Sequence, residues 1–215
     1  MKGRQQREIR TLLNCKTFLN AHPAIAGMVL TSGSKRDLDE AVRDAGDHAA
    51  GQAYATRQRR AYAGVTKDAK RKLRQAMQPV AEVAKSTFQE RPDMLGLMMP
   101  PASVATARLV AAALAMADGA EEVSDMLIAA GLAPGFADDI RSRARAVTEA
   151  AARGQEAVVA RNGATRGITD AIRRGRRAIA VIDSLLAPAF DEAPDLRAGW
   201  KGLKRIPGKP GPSPM

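Results

Sequence analysis

A stripe of mostly small and apolar residues recurs at alternating steps of three and four along the C-terminal third of the chain. This spacing keeps one face of an α-helix directed at a partner helix, as in coiled coils and helical bundles. The stripe, called the seam below, consists of Ala144, Val147, Ala151, Gly154, Val158, Arg161, Thr165, Ile168, Ile172, Gly175, Ile179, Ile182 and Leu186. A seam of this length predicts long helices packed side by side, and hence an all-α protein.

Composition favours the same fold class. Aromatic residues make up only 3% of the 215 residues, so the core has to be built from Ala, Leu, Ile, Val and Met. Small side chains fill little space, and a core rich in alanine therefore needs closely spaced helices. No run of β-branched and aromatic residues alternates with a period of two, which is the pattern of strands. We predict an elongated, mostly antiparallel helical bundle with about four principal long helices.

Proline, glycine and polar clusters indicate where the helices break. The stretch 90–103 is the clearest loop, and a helix is predicted after it from about 103 to 130. Pro79 is expected to kink or restart its helix because proline lacks the amide donor. Within the seam, RNGATRG at 161–167 leaves two alternatives, a continuous and bent helix or a short loop between two arms; the surviving heptad phase favours the continuous helix. One helical domain is predicted over 1–206, followed by a disordered Pro/Gly-rich tail over 207–215.

Several segments together resemble an uncharacterised family of bacterial all-helical proteins of about this length. The resemblance rests on GLAPGFADDI at 131–140, ITDAIRRGRRAIAVIDSLLAPAF at 168–190 and PDLRAGW at 194–200, with LMMPPASVATARLVAAALAMA at 97–117. The family has no assigned activity. The resemblance therefore implies a bacterial, all-helical protein and supplies no functional residues.

Few side chains are placed for catalysis or metal binding. His48 follows Asp44 by four residues, and we interpret them as a solvated or interhelical polar pair, because two ligands rarely suffice for a metal site. Cys15 is the only cysteine and is interpreted as a small buried hydrophobe. A lone thiol without a disulfide framework suits a reducing cytoplasm. No phosphate-binding glycine loop or nucleophile elbow is present. We therefore predict no enzymatic activity, with no catalytic, cofactor-binding or metal-binding residues.

Positive charge is the remaining functional signal. The formal net charge is +11, and residues 57–74 and 161–177 hold eight and six Lys and Arg against one acid each. If these two stretches are antiparallel neighbours, their cations form one surface that can contact phosphates without reading sequence. The candidate nucleic-acid-binding residues are Arg57, Arg60, Lys70, Arg71, Arg74, Arg173, Arg174 and Arg177. The alternative is that these side chains flank the seam and cover apolar surface with their stems.

Trp200 lies in a short basic element near the C-terminus. It is interpreted either as an anchor that docks this element on the bundle or as a partner-binding residue. The N-terminus has no apolar region of a secretory signal, and no stretch is apolar and long enough to span a membrane. We expect a cytoplasmic, non-enzymatic interaction or scaffold protein whose partner is a protein, either itself or another. The alternative is a sequence-nonspecific binder of nucleic acid or another polyanion.

Overall fold

The computed structural model of the chain describes residues 3–102 and 105–204, and these residues form helices without any strand. The helices, in chain order, are α1 (Gly3–Ala21), α2 (Pro23–Leu30), α3 (Ser34–Thr87), α4 (Pro92–Leu97), α5 (Thr106–Glu121), α6 (Ser124–Ala129), α7 (Phe136–Glu192) and α8 (Pro194–Lys204). The all-α prediction is confirmed for this part of the chain.

Two helices dominate, α3 with 54 residues and α7 with 57, so the prediction of four principal long helices is not confirmed. Helix α7 runs without interruption through 161–167, as the heptad phase indicates. Helix α3 also continues through Pro79, so the predicted restart there is wrong. Pro79 is exposed, and water can therefore reach the carbonyl group that its missing amide leaves without a helical partner.

The helix predicted from about 103 to 130 is two helices, α5 and α6, with a break at Glu122 and Val123. Residues 103 and 104, and the predicted tail at 207–215, lie outside the described residues. Helix α6 ends where Gly131 adopts a φ of +108°. There the amides of Gly131 and Leu132 donate to the carbonyl groups of Ile128 and Leu127, which closes the helix end in a Schellman motif.

The chain divides into two compact units, which share the two long helices. The first unit contains the described residues up to Ala55 and from Val159 onwards, and the second contains Thr56–Val158. Helix α3 gives its N-terminal part to the first unit, whereas α7 gives its N-terminal part to the second. The single domain over 1–206 stays a prediction.

In the first unit, α1, α2 and α8 pack with the adjoining parts of α3 and α7. The core is mainly aliphatic and includes Leu12, Leu19, Leu38, Ile168, Ile182 and Leu186, with Cys15, Phe190 and Trp200. Two glycines of α7, Gly167 and Gly175, permit other side chains to approach this helix closely. A Cβ atom at Gly175 would lie 2.6 Å from Leu12 Cδ1, and one at Gly167 would lie 2.5 Å from the His48 ring. Glycine therefore sets how near neighbouring elements can approach α7.

In the second unit, α4, α5 and α6 pack with the adjoining parts of α3 and α7. Its core includes Leu73, Met77, Val80, Ala84, Phe88, Met94, Met98, Leu109, Met116, Leu127, Ile140 and Val147. The α3 members begin at Leu73, with Ala69 packed partly against them. The stretch of α3 before Ala69 contributes nothing to this buried cluster, and the first group of basic residues, at 57–74, extends from this stretch into the first turn of the core-forming part.

Candidate basic groove of the second unit

A groove of about 900 Å³ lies within the second unit, along the basic stretch of α3. Its α3 side is formed by Arg59, Tyr62, Ala63, Thr66, Lys67, Lys70, Arg71, Arg74, Gln75 and Gln78, and its α7 side by Ala151, Gly154, Gln155 and Val158. The α3 residues follow one another at alternating steps of three and one. Side chains three and four residues apart share one face of a helix, so all of them line the same wall. Helix formation alone thus collects these cations on one wall.

The charge of the groove has one sign. Five of its side chains are cationic: Arg59, Lys67, Lys70, Arg71 and Arg74. No acidic side chain of the described residues lines it, and its remaining polar groups are hydroxyl and amide groups. Cations collected in a concave surface with low-dielectric walls focus a positive potential there. The groove is therefore suited to an anionic ligand.

One carboxylate beside the groove pairs with one of its cations. Asp68 is the only acid within 57–74, and it pairs with Arg71 and with Lys72, whose Nζ is 3.1 Å away. The hydrogen bond from Lys72, aided by both positive charges, lowers the pKa of Asp68, which keeps it ionised. Elsewhere in the unit, Arg141 binds Asp118 and Glu121 of α5, and none of these three residues lines the groove. Of these acids, Asp68 alone pairs with a cation that lines the groove, Arg71.

The floor of the groove is apolar and made of small side chains. Ala151, Gly154 and Val158 belong to the seam, yet they are only half-buried, whereas Ala144 and Val147 one turn earlier are fully buried. A Cβ atom at Gly154 would lie 3.7 Å from the Cβ atom of Tyr62, so α3 and α7 are in contact at the bottom. The seam is thus incompletely covered here, and the small residues leave a trough.

The structure brings three of the candidate residues together. Lys70, Arg71 and Arg74 line the groove, while Arg57 and Arg60 are exposed on α3 outside its lining. Arg59 and Lys67 also line it, although they were not among the sequence-predicted site residues. Arg59 lies four residues before Ala63, and Lys67 lies seven residues before Arg74, so both share the helical face of the groove. This periodicity was the signal that could have identified them.

The second group of candidate residues lies in the first unit. Arg174 pairs with Asp44 of α3, and Arg173 pairs with Asp170 at 3.3 Å. Arg177 is exposed on the same helix. The stretch 57–74 belongs to the second unit, where it adjoins α7 around Gly154; that the two basic stretches are antiparallel neighbours stays a prediction. Arg173 and Arg174 have acidic partners of their own.

Trp200 is buried, with 1% of its surface exposed. Its ring centroid lies 5.3 Å from that of Phe18 and 6.4 Å from that of Phe190. Its indole N–H donates to Asp183, which also accepts a hydrogen bond from Lys204 at 2.6 Å. These contacts correspond to the anchor interpretation: the side chain docks α8 in the first unit, and its surface is used within the chain.

The remaining chemical groups have packing roles. The His48 ring lies against Gly167 of α7, while Asp44, the other member of the predicted polar pair, pairs with Arg174. Cys15 is buried, and burial, with a smaller contribution from the nearby Asp183 charge, raises the pKa of its thiol to about 11. Among residues 3–102 and 105–204, no group of three His, Cys, Asp or Glu side chains is arranged to hold a metal ion.

Comparison with known proteins gives no relative: no family model, curated protein or solved structure matches the chain. Within the described residues, no helix is both long and apolar enough to cross a membrane. Function has therefore to be inferred from the groove and its chemistry.

Proposed function

We propose that the protein is a non-enzymatic helical interaction protein, a bundle that holds an acidic partner in the basic groove of its second unit. The observation that supports this most is the lining itself, five cations along an apolar trough with no acid among the described lining residues. Charge complementarity of this kind selects partners and speeds their association. A bacterial and cytoplasmic setting, as the resemblance and the lone thiol imply, is part of the same proposal.

The lining also supports a role in binding rather than in catalysis. General bases and nucleophiles in enzymes are most often His, Asp, Glu, Cys or Ser side chains. The described lining holds none of these; it offers the amino groups of Lys67 and Lys70 and the hydroxyl groups of Tyr62 and Thr66, of which Thr66 donates to the Tyr62 carbonyl oxygen at 2.8 Å. Lysine, arginine and glutamine side chains bind and orient anions without needing to exchange protons.

A second candidate function is sequence-nonspecific binding of nucleic acid, and the same five cations favour it. If each contacted one phosphate of a duplex, the logarithm of the binding constant would fall with the logarithm of salt concentration with a slope of about −4.5. Binding of single strands usually adds aromatic stacking platforms. The lining offers one aromatic ring, that of Tyr62, which makes nucleic acid the less favoured partner.

The test is affinity capture from cells of the source organism, with and without nuclease, using matched charge variants. Lys67→Glu with Arg74→Glu changes the groove, whereas Arg57→Glu with Arg60→Glu makes the same change of net charge on the same helix outside its lining. Recovery of the same protein partner in both nuclease conditions, lost only in the groove variant, supports the proposal. Loss of all bound material after nuclease treatment supports the nucleic-acid function, and equal capture by both variants refutes a role for the groove.

A further inference from the structure

We infer that the occupant of the basic groove is an acidic amphipathic α-helix of a partner protein. This inference rests on the proposed function and gives the partner a specific chemistry. Three properties of the groove lead to it: the uncovered seam at its floor, its length along α3, and the placement of its charges.

The floor has the packing properties of a helix-binding surface. Seam positions face a partner helix when the packing is complete, and within the second unit α5 supplies buried side chains to the core that contains Ala144 and Val147. At Ala151, Gly154 and Val158 the seam is only half-buried. Small residues at such positions let another helix approach closely and bury its apolar side chains between α3 and α7.

The length of the groove suits a helix of several turns. Its α3 wall extends from Arg59 to Gln78, about 28 Å at about 1.5 Å per residue, and its α7 floor extends from Ala151 to Val158, about 10 Å. A partner helix of about 18–20 residues would match this wall. Over that length it presents an apolar stripe recurring every three to four residues, the same spacing as the seam.

The charges specify the polar faces of the occupant. An amphipathic helix with Asp and Glu beside its apolar stripe places carboxylates next to Arg59, Lys67 and Arg71 while its stripe covers the floor. A nucleic acid would use the cations but leave most of the small apolar residues uncovered. The chain's own C-terminal sequence at 207–215, PGKPGPSPM, has no acid and four prolines, so it is not complementary either.

The direct test uses a synthetic peptide of about 20 residues with leucine at heptad positions a and d, glutamate at e and g, and alanine elsewhere. Its controls are a scrambled peptide of the same composition and a peptide with lysine in place of glutamate. Binding to the full chain is measured by fluorescence anisotropy of the labelled peptides. We expect a dissociation constant below about 0.1 mM for the acidic helix and no measurable binding of the two control peptides. Lys67→Glu with Arg74→Glu should raise this dissociation constant at least about tenfold. The matched variant, Arg57→Glu with Arg60→Glu, should change the affinity less than about twofold.

A second pair of variants tests the floor. Val158→Glu places a carboxylate in the groove, whereas Val159→Glu makes the same change at a neighbouring side chain that is 63% exposed and does not line it. Only Val158→Glu should weaken the peptide complex, and circular dichroism confirms that each variant is folded. If Val158→Glu fails to fold, the charge variants still decide the result.

Several outcomes would overturn the inference. They are absence of binding of the acidic peptide at about 0.1 mM, equal binding of the scrambled peptide, or equal weakening by both charge variants. An oligonucleotide that binds in the groove when the acidic peptide does not would also refute it and favour the nucleic-acid function. If neither peptide nor oligonucleotide binds but a cellular partner is captured through the groove, the inference fails while the proposed function stands.

Discussion

Replacing Gly175 by alanine introduces a methyl group into a closed contact of the first unit. The added Cβ atom would lie 2.6 Å and 2.9 Å from the two Cδ atoms of Leu12, and 3.3 Å from the Cβ atom of Ala41. Leu12 is 1% exposed and surrounded by core residues, so its side chain cannot move aside into solvent. The methyl group therefore has to displace α1 or force Leu12 into a strained rotamer.

Two effects of opposite sign determine how much Gly175→Ala changes the free energy of unfolding. Alanine is favoured over glycine inside a helix by about 1 kcal/mol. Extra volume in a packed core costs about 1–3 kcal/mol. Gly163→Ala is the matched control, because Gly163 lies in the same helix and no atom lies within 4 Å of its added Cβ atom. We expect Gly163→Ala to stabilise by up to about 1 kcal/mol and Gly175→Ala to be less stable than this control by about 1–3 kcal/mol.

The assay is urea unfolding followed by circular dichroism at equal protein concentration, from which the free energies of unfolding are compared. A double mutant with Leu12→Ala provides the internal check. Removing both Cδ atoms opens the space, so Gly175→Ala in that background should stabilise as Gly163→Ala does, with a coupling energy of about 1–3 kcal/mol. If Gly175→Ala stabilises the otherwise unchanged protein as much as the control does, the explanation by close approach is wrong.

Three further results are expected. Trp200→Phe should lower the free energy of unfolding by about 1–3 kcal/mol, because Asp183 loses the indole donor; an unchanged urea midpoint would contradict this. The free energy of unfolding should fall as pH rises from about 9 to about 11, since the unfolded Cys15 thiol ionises near 9.0 while the folded one stays protonated up to about 11. Cys15→Ala should lack this component, and an identical pH profile would refute it. Gly131→Ala should destabilise by about 1–2 kcal/mol because of the positive φ, and melting curves that coincide with those of the unchanged protein would show that the turn tolerates a side chain.

Much of the helical structure follows from local periodicity. The seam correctly indicates that Ile168, Ile172, Ile182 and Leu186 are buried and that α7 is continuous. The reason for glycine at 175 is a tertiary contact and does not follow from local periodicity. It depends on Leu12, which is far away in sequence, and periodicity along one helix does not show which element crosses it.

The failure to predict the break between α5 and α6 also has a physical cause. Ala120, Val123 and Leu127 keep helical spacing, and no proline or glycine separates them, so the break between α5 and α6 has no local signal. It is set by tertiary packing, which buries Leu127 and Leu132 beyond the break.

For the groove, the sequence identified the basic stretch of α3 but not the segment facing it. Net charge and residue spacing can show a cationic helix face, and Lys70, Arg71 and Arg74 were correctly grouped in this way. Which part of α7 pairs with that face depends on the register of two long helices. Within the second unit, the small residues around Gly154 lie opposite this face.

The placement of Trp200 gives the chain a built-in optical reporter. It is the sole tryptophan and belongs to the first unit, whereas the ellipticity of the helices reports on both units together. Its emission spectrum during unfolding therefore follows one half of the molecule while circular dichroism follows the whole. Coincident transitions would mean that the units unfold as one cooperative domain, and separated transitions would assign a stability to each.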